Sequence, residues 1–365
     1  MRTLLVAGPG GAGRTTVAVA TARQAVHDGL RTLLISADAV PSLPGAEVRR
    51  LIPADDFRDD LLALQERAGG VLEMLGAARL DADELTPLPG STELALLRAL
   101  RDSADGPHDL VVVDLPAGPA AVATLALPAQ LRRYLRRLLP AERQAARALR
   151  PVLGRLAGVP MPAGWLYETA ARWDAELAAA QDVIDAPGTA VRLVAEPTAA
   201  AAESLRVTRT GLALHGLPVE AVLANRVLPD GSTDPWLADA AARQRKVIAG
   251  WRSAHEIAHL GRDPEDALPD VPAAREPGPR ADWPVEDRIA EDGVLVWHIP
   301  LPGAVREELT LIRRGDELVV GAGPFRRIVP LPSAPRRCTV AGAGLVEGEL
   351  RVRFAPDPDL WPRTR

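Results

Sequence analysis

Cysteine is almost absent. Cys338 is the only one in 365 residues, which excludes an internal disulfide or multi-cysteine metal site and suits a reducing compartment. Aromatic residues are 3% of the chain, too few for base-stacking platforms, so the core must be Leu, Val and Ala. Lysine is equally rare: Lys246 stands alone, and arginine carries nearly all of the 43 positive charges. Against 48 acidic residues this leaves a net charge of −5, which argues against nucleic acid as the main partner. No apolar run reaches the roughly 18 residues that would span a bilayer. The apolar start, residues 1 to 7, is cut short by glycine and proline and does not read as a secretion signal. The expectation is a soluble, cytoplasmic chain, long enough for one large and one small domain.

What is present is organised around the first sixteen residues. A short apolar run, Thr3 to Ala7, reads as a buried strand and feeds a turn, Gly8-Pro9-Gly10-Gly11-Ala12-Gly13. Arg14, Thr15 and Thr16 then open an apolar alternation that reads as a helix. Strand, glycine loop and helix is the setting in which a phosphate-binding loop works. The glycines turn backbone N–H groups inward, and the helix N-terminus adds partial positive charge. Thr15 stands where the hydroxyl of such a loop meets Mg²⁺, while Arg14 replaces the usual lysine with a longer, forked cation. A second strand, Thr32 to Ile35, completes a βαβ unit and implies a parallel sheet covered by helices. It leads into Ser36-Ala37-Asp38. Asp109 to Asp114 is the clearest central strand, and it delivers Asp114 to a strand tip, the edge at which open α/β sheets bind ligands. An aspartate there can hold Mg²⁺ directly or through water, or simply cap the next turn. Asn225 ends another strand, where its amide can read a purine edge or cap a loop.

Residues 129 to 186 read as a helical subdomain. Leu131, Leu135, Leu138 and Leu139 share one face, and Arg132, Arg133, Arg136 and Arg137 the other. Arg143, Arg147, Arg150 and Arg155 extend the basic character. Such a face is either solvated or a grip for an acidic partner or membrane surface. His255-Glu256-Ile257-Ala258-His259 matches the H-E-x-x-H zinc signature, which needs a helix. The following Gly and Pro residues break a helix at once and supply no third ligand, so a zinc peptidase is disfavoured. Residues 263 to 293 are rich in Pro and acid and read as a linker. Short alternating segments over 294 to 357 then indicate a small all-β sandwich.

In order and spacing, these stretches resemble the ArsA family of arsenite-pump and tail-anchored-protein-targeting ATPases. GPGGAGRTT is similar to its GKGGVGKTT, SADAVPSL to its first switch and DLPAGPAAVATLALP to its second, over residues 1 to 262. The tail resembles the α-crystallin-like domain of small heat-shock proteins, which some bacterial members carry. The resemblance implies an α/β P-loop NTPase fold with a mostly parallel sheet. ATP would bind at Gly10, Gly11, Ala12, Gly13, Arg14, Thr15 and Thr16, with Asn225 at the adenine. Mg²⁺ would be held by Thr15 and Asp114, Asp38 would orient the attacking water, and Arg14 would stabilise developing charge. It also implies a protein client or membrane-protein partner and a homodimer. Two departures accompany it: Pro9 stands where the family reaches across the dimer with lysine, and the arsenite- and zinc-binding cysteines are missing. The expected activity is a slow ATPase switch. The alternative is a non-catalytic, chaperone-like or scaffold module.

Overall fold

The strand β1 (Arg2–Ala7) lies in the middle of a seven-stranded sheet because its residues are apolar toward both faces. Leu4 and Val6 point into one buried layer, Leu5 and Ala7 into the other, as a two-residue repeat requires. The computed structural model describes residues 1–74, 78–139, 164–251, 253–262 and 268–361. The other strands are β2 (Thr32–Ser36), β3 (Ala46–Arg50), β4 (Leu110–Asp114), β5 (Thr189–Ala195), β6 (Val219–Val227) and β7 (His255–Ala258). Their order is β3-β2-β4-β1-β5-β6-β7 and every pairing is parallel. All C-terminal tips therefore line one edge, and the chain changes direction across the sheet beside β1.

One face of the sheet is covered by α1 (Arg14–His27), through Val17, Ala18 and Ala22. The other carries α3 (Ser91–Ser103), α4 (Pro119–Leu138), α5 (Gly164–Asp185) and α6 (Ala199–Leu214), with α2 (Pro53–Met74) packed on α3 and α7 (Pro235–Ala249) beside β6. Among the described residues no helix is long and apolar enough to cross a membrane.

The C-terminal part is antiparallel throughout. One sheet is β10 (Leu309–Arg314), β11 (Glu317–Ala322) and β12 (Phe325–Pro330); the other runs β13 (Cys338–Val346), β14 (Glu349–Pro356), β9 (Val294–Pro300), β8 (Val285–Arg288). The strand β8 falls inside the stretch that composition marks as linker. The described part of that stretch, from residue 268, is also not free. Arg192 on β5 is buried to 0% and bonds the carbonyls of Pro272 and Ala273 at 3.0 and 3.2 Å, strapping the segment onto the sheet.

A single buried cluster runs from Leu5 and Val113 to Leu318 and Phe354, so the two parts share a core. The arginine face of α4 is divided: Arg136 and Arg137 stay exposed to water, Arg132 and Arg133 are largely covered, and all four are paired within the chain. Arg132 and Arg136 reach Asp174 of α5 at 3.2 and 3.4 Å, and Arg133 grips Glu317 of β11 with two bonds of 2.5 and 2.6 Å, joined by Arg137 at 3.1 Å. Arg143, Arg147, Arg150 and Arg155 lie outside the described residues, as does 140–163 of the expected helical subdomain. On the apolar side Leu131 and Leu135 pack against the core, whereas Leu138 is exposed.

Docking of the β sheets depends on Gly211 in α6, where a Cβ would lie 2.5 Å from the Phe325 ring. Gly211→Ala forces that ring aside and is expected to cost about 1–3 kcal/mol, read as a lower thermal midpoint. Next to it, burial, with Arg327 adding repulsion, pushes the His215 imidazole down to about 4. His215 thus stays neutral in the fold while the unfolded chain takes up its proton near pH 6.5. Stability is expected to fall as pH drops from about 6.5 toward 4, by on the order of 2–3 kcal/mol from this group. His215→Gln should flatten that stretch of the stability–pH curve relative to the parent.

Candidate functional site

The glycine turn leaves β1 at the point where the sheet reverses, and α1 begins at Gly13 with φ 84°. No side chain caps this helix and its first turn holds no acid, so its leading N–H groups face outward without a protein partner of opposite charge. Only glycine fits position 13: a Cβ would collide with the amide nitrogen of Asn225 and φ is left-handed.

Three side chains predicted from the sequence converge here. The Thr15 hydroxyl lies 2.7 Å from Asp114 Oδ2 and 3.0 Å from Asp38 Oδ2. A hydroxyl has one proton and can donate to only one of these carboxylates at a time. Ser36 Oγ donates to Asp114 Oδ2 at 3.0 Å and accepts from the Asp38 N–H at 3.1 Å. Asp114 Oδ1 is buried with no hydrogen-bond partner; the Arg14 guanidinium 3.7 Å away offsets part of its charge without bonding it. Burial pushes the Asp114 carboxyl above the usual range, and the Asp38 charge adds to it; Thr15, Arg14 and Ser36 pull the other way. Among the described residues no cluster of three or more His, Cys, Asp or Glu could hold a metal by itself. Two carboxylates and a hydroxyl are nonetheless hard oxygen donors, of the kind Mg²⁺ combines with water and phosphate oxygens.

Arg14 is not aimed into the loop. Its guanidinium donates to the Leu115 carbonyl and sits 3.7 Å from Asp114 Oδ1, with the side chain 15% exposed. Asn225, buried at the tip of β6, donates its amide N–H to the Ala12 carbonyl at 2.8 Å. Gly10 and Gly11 are exposed, Ala12 is buried, and Thr16 lines a neighbouring cavity of about 450 Å³ with Gly13, Asn225, Arg226 and His259. That volume lies within the range of small-ligand sites, ~300–1,000 Å³.

Three contributors escape sequence reasoning. Ser36 bonds the Asp114 carboxylate and the backbone N–H of Asp38. Arg226 holds a left-handed backbone, φ 58°, donates to the Gly11 carbonyl at 3.0 Å and pairs with Glu196 at 3.5 Å. His259 forms a wall of the cavity because residues 255–258 are a strand, β7, and not the helix that H-E-x-x-H requires. The only available signal for it is the rule that every C-terminal strand tip belongs to the site.

The anion-transporting ATPase family profile matches residues 1–48 and 53–261, and that of the HSP20-like domain found in ArsA matches residues 292–354. An uncharacterized protein of Streptomyces coelicolor is 60% identical over the full length of both chains. A Mycobacterium tuberculosis protein is 30% identical over 99% of this chain and 97% of its own. A protein of Aquifex aeolicus, provisionally named arsenical pump-driving ATPase 1, is 23% identical over 96% of this chain and 99% of its own. With its parallel sheet, glycine loop and appended β sheets, the chain belongs to the ArsA family of nucleotide-binding ATPases and carries that family's HSP20-like domain.

Proposed function

We propose that this chain binds ATP with Mg²⁺ at Gly10–Thr16 and hydrolyses it slowly, as a switch that couples nucleotide state to a protein or anion-transport partner. One observation carries the reading: Asp114 Oδ1 is buried without a hydrogen bond, its one neighbouring cation being Arg14 at 3.7 Å, beside a hydroxyl shared by two carboxylates. Thr15 and Asp114 would hold the ion, which when bound would neutralise phosphate charge. The outward N–H groups of Arg14, Thr15 and Thr16 would take phosphate oxygens. The cavity beside Thr16 would take the base, with the Asn225 carbonyl reading its edge. Asp38 is exposed and would accept a hydrogen bond from the attacking water. Residues 1 to 262 would form the ATPase domain. Pro9 has no N–H and no charge to offer a second copy, so any homodimer would not rest on that position.

A second reading, a non-catalytic chaperone-like or scaffold module, is favoured by the placement of Arg14, whose fork is occupied by Leu115 and Asp114. Phosphate release with and without Mg²⁺ separates the two. Slow Mg²⁺-dependent release supports the switch; calorimetric binding of ATP with no release supports the scaffold. Arg14→Lys replaces the fork with a compact point charge and is expected to raise turnover about tenfold, a barrier change of ~1.4 kcal/mol.

A further inference from the structure

Away from the loop, a cavity of about 1340 Å³ opens between α6, α7 and two turns of the β domain, at Pro302–Ala304 and at Glu347–Gly348. It exceeds the ~300–1,000 Å³ of small-molecule sites, which points to a length of polymer. Its apolar lining includes Leu205, Val222, Leu228 and Val247, with Trp251 largely buried and Trp236 73% exposed. A large exposed aromatic beside an apolar trough is a usual anchor for a protein partner.

The charges on the lining decide which partner. Glu203 is engaged by Arg206, Glu196 by Arg226, and Arg243 by Asp239 of its own helix. Arg209 and Lys246 have no partner among the described residues, against a single unpaired carboxylate, Glu347. Lys246 is the only lysine in the chain. Two unanswered cations over an apolar floor are complementary to a segment that alternates apolar and acidic residues. We propose that this interdomain cleft binds an acidic, apolar peptide segment of a partner protein, with Arg209 and Lys246 meeting its carboxylates and Trp236 covering its apolar side.

The test uses the full chain without nucleotide, so that its result is independent of the ATP site. A short fluorescein-labelled peptide of repeated Leu-Ser-Glu and its Leu-Ser-Lys counterpart are titrated by fluorescence anisotropy at low salt. The acidic peptide is expected to bind about tenfold tighter than the basic one, less so as salt rises. The double variant Arg209→Glu, Lys246→Glu should reverse that order, an outcome that a misfolded chain would not give. Trp236→Ala should weaken both peptides alike. Equal affinity for the two peptides, no binding of either, or a preference untouched by charge reversal would overturn the proposal. Self-association abolished by the same reversal would also overturn it, by giving the cleft to a second copy.

Discussion

Arg192→Ala is expected to lower the stability of the folded chain by about 3–5 kcal/mol, the usual cost of leaving half of a buried ion pair behind. Arg192 and Glu220 have side chains 0% and 1% exposed, with Nε and Oε1 2.5 Å apart. The same guanidinium bonds Thr21 Oγ1 at 3.0 Å and the Pro272 and Ala273 carbonyls. Deleting it strands two carbonyls without that donor and leaves the Glu220 carboxylate, buried and uncompensated in charge, with only the Arg275 N–H at 3.3 Å. The double replacement Arg192→Met, Glu220→Leu removes both charges and should recover most of the loss. It should still leave the strap at 272–273 less firmly held. Guanidinium unfolding checks this: the midpoint falls for the single variant at nearly constant slope. A midpoint within ~0.5 kcal/mol of the parent would mean that the strap and the pair do not share the burden described.

How much of this was readable beforehand differs by element. The strands β1, β2 and β4 and the loop between β1 and α1 are legible because a strand buried on both faces is a run of Leu, Ile and Val, and because glycine marks the turn. Asp38, Asp114 and Thr15 are legible for the same reason, since strand tips and a loop hydroxyl are positions before they are contacts. Strand β3 is not, because Ala46–Arg50 is an edge strand with polar residues and only partial burial. Strand β8, Val285–Arg288, is equally hidden, being mostly charged and held by its pairing with β9 and by Val285 against the core. Tertiary pairing overrides composition in both cases. Arg192 reads as a flaw in an apolar strand until its partners, 28 and about 80 residues away in sequence, are seen.

The arginine face of α4 shows the same limit from the other side. A helical face of Arg132, Arg133, Arg136 and Arg137 has the composition of a solvated or partner-binding surface. Its partners, Asp174 and Glu317, come from α5 and β11. Glu317 lies 184 residues from Arg133, and the pairing holds the Glu317 carboxyl below its ordinary range. The β domain is therefore latched onto the helical layer. If the proposed switch moves that layer, the β domain would follow through a half-buried, bidentate contact of the stronger kind.

That coupling has meaning only if the loop turns nucleotide over, which makes Asp38→Asn the decisive substitution. Phosphate release is expected to fall by about 10²–10⁴, the range in which a positioned acid–base group contributes. ATP affinity in Mg²⁺ should stay within about threefold. The asymmetry follows from placement. Asp114 is 7% exposed and bonded to Thr15 and Ser36, so it is fit to hold an ion and poorly placed to meet water. Asp38 is exposed, its backbone N–H fixed on Ser36 Oγ, and its carboxylate reaches Thr15 without being enclosed. Asparagine keeps the shape and the acceptor for Thr15 but loses the negative charge that aligns a water and draws its proton. Asp114→Asn should act differently: it replaces a charged oxygen donor with a neutral amide, and should raise the Mg²⁺ concentration at which release is half-maximal. If release persists unchanged in the Asp38→Asn chain while remaining Mg²⁺-dependent, the water must be positioned by another group, and the role proposed for Asp38 is wrong.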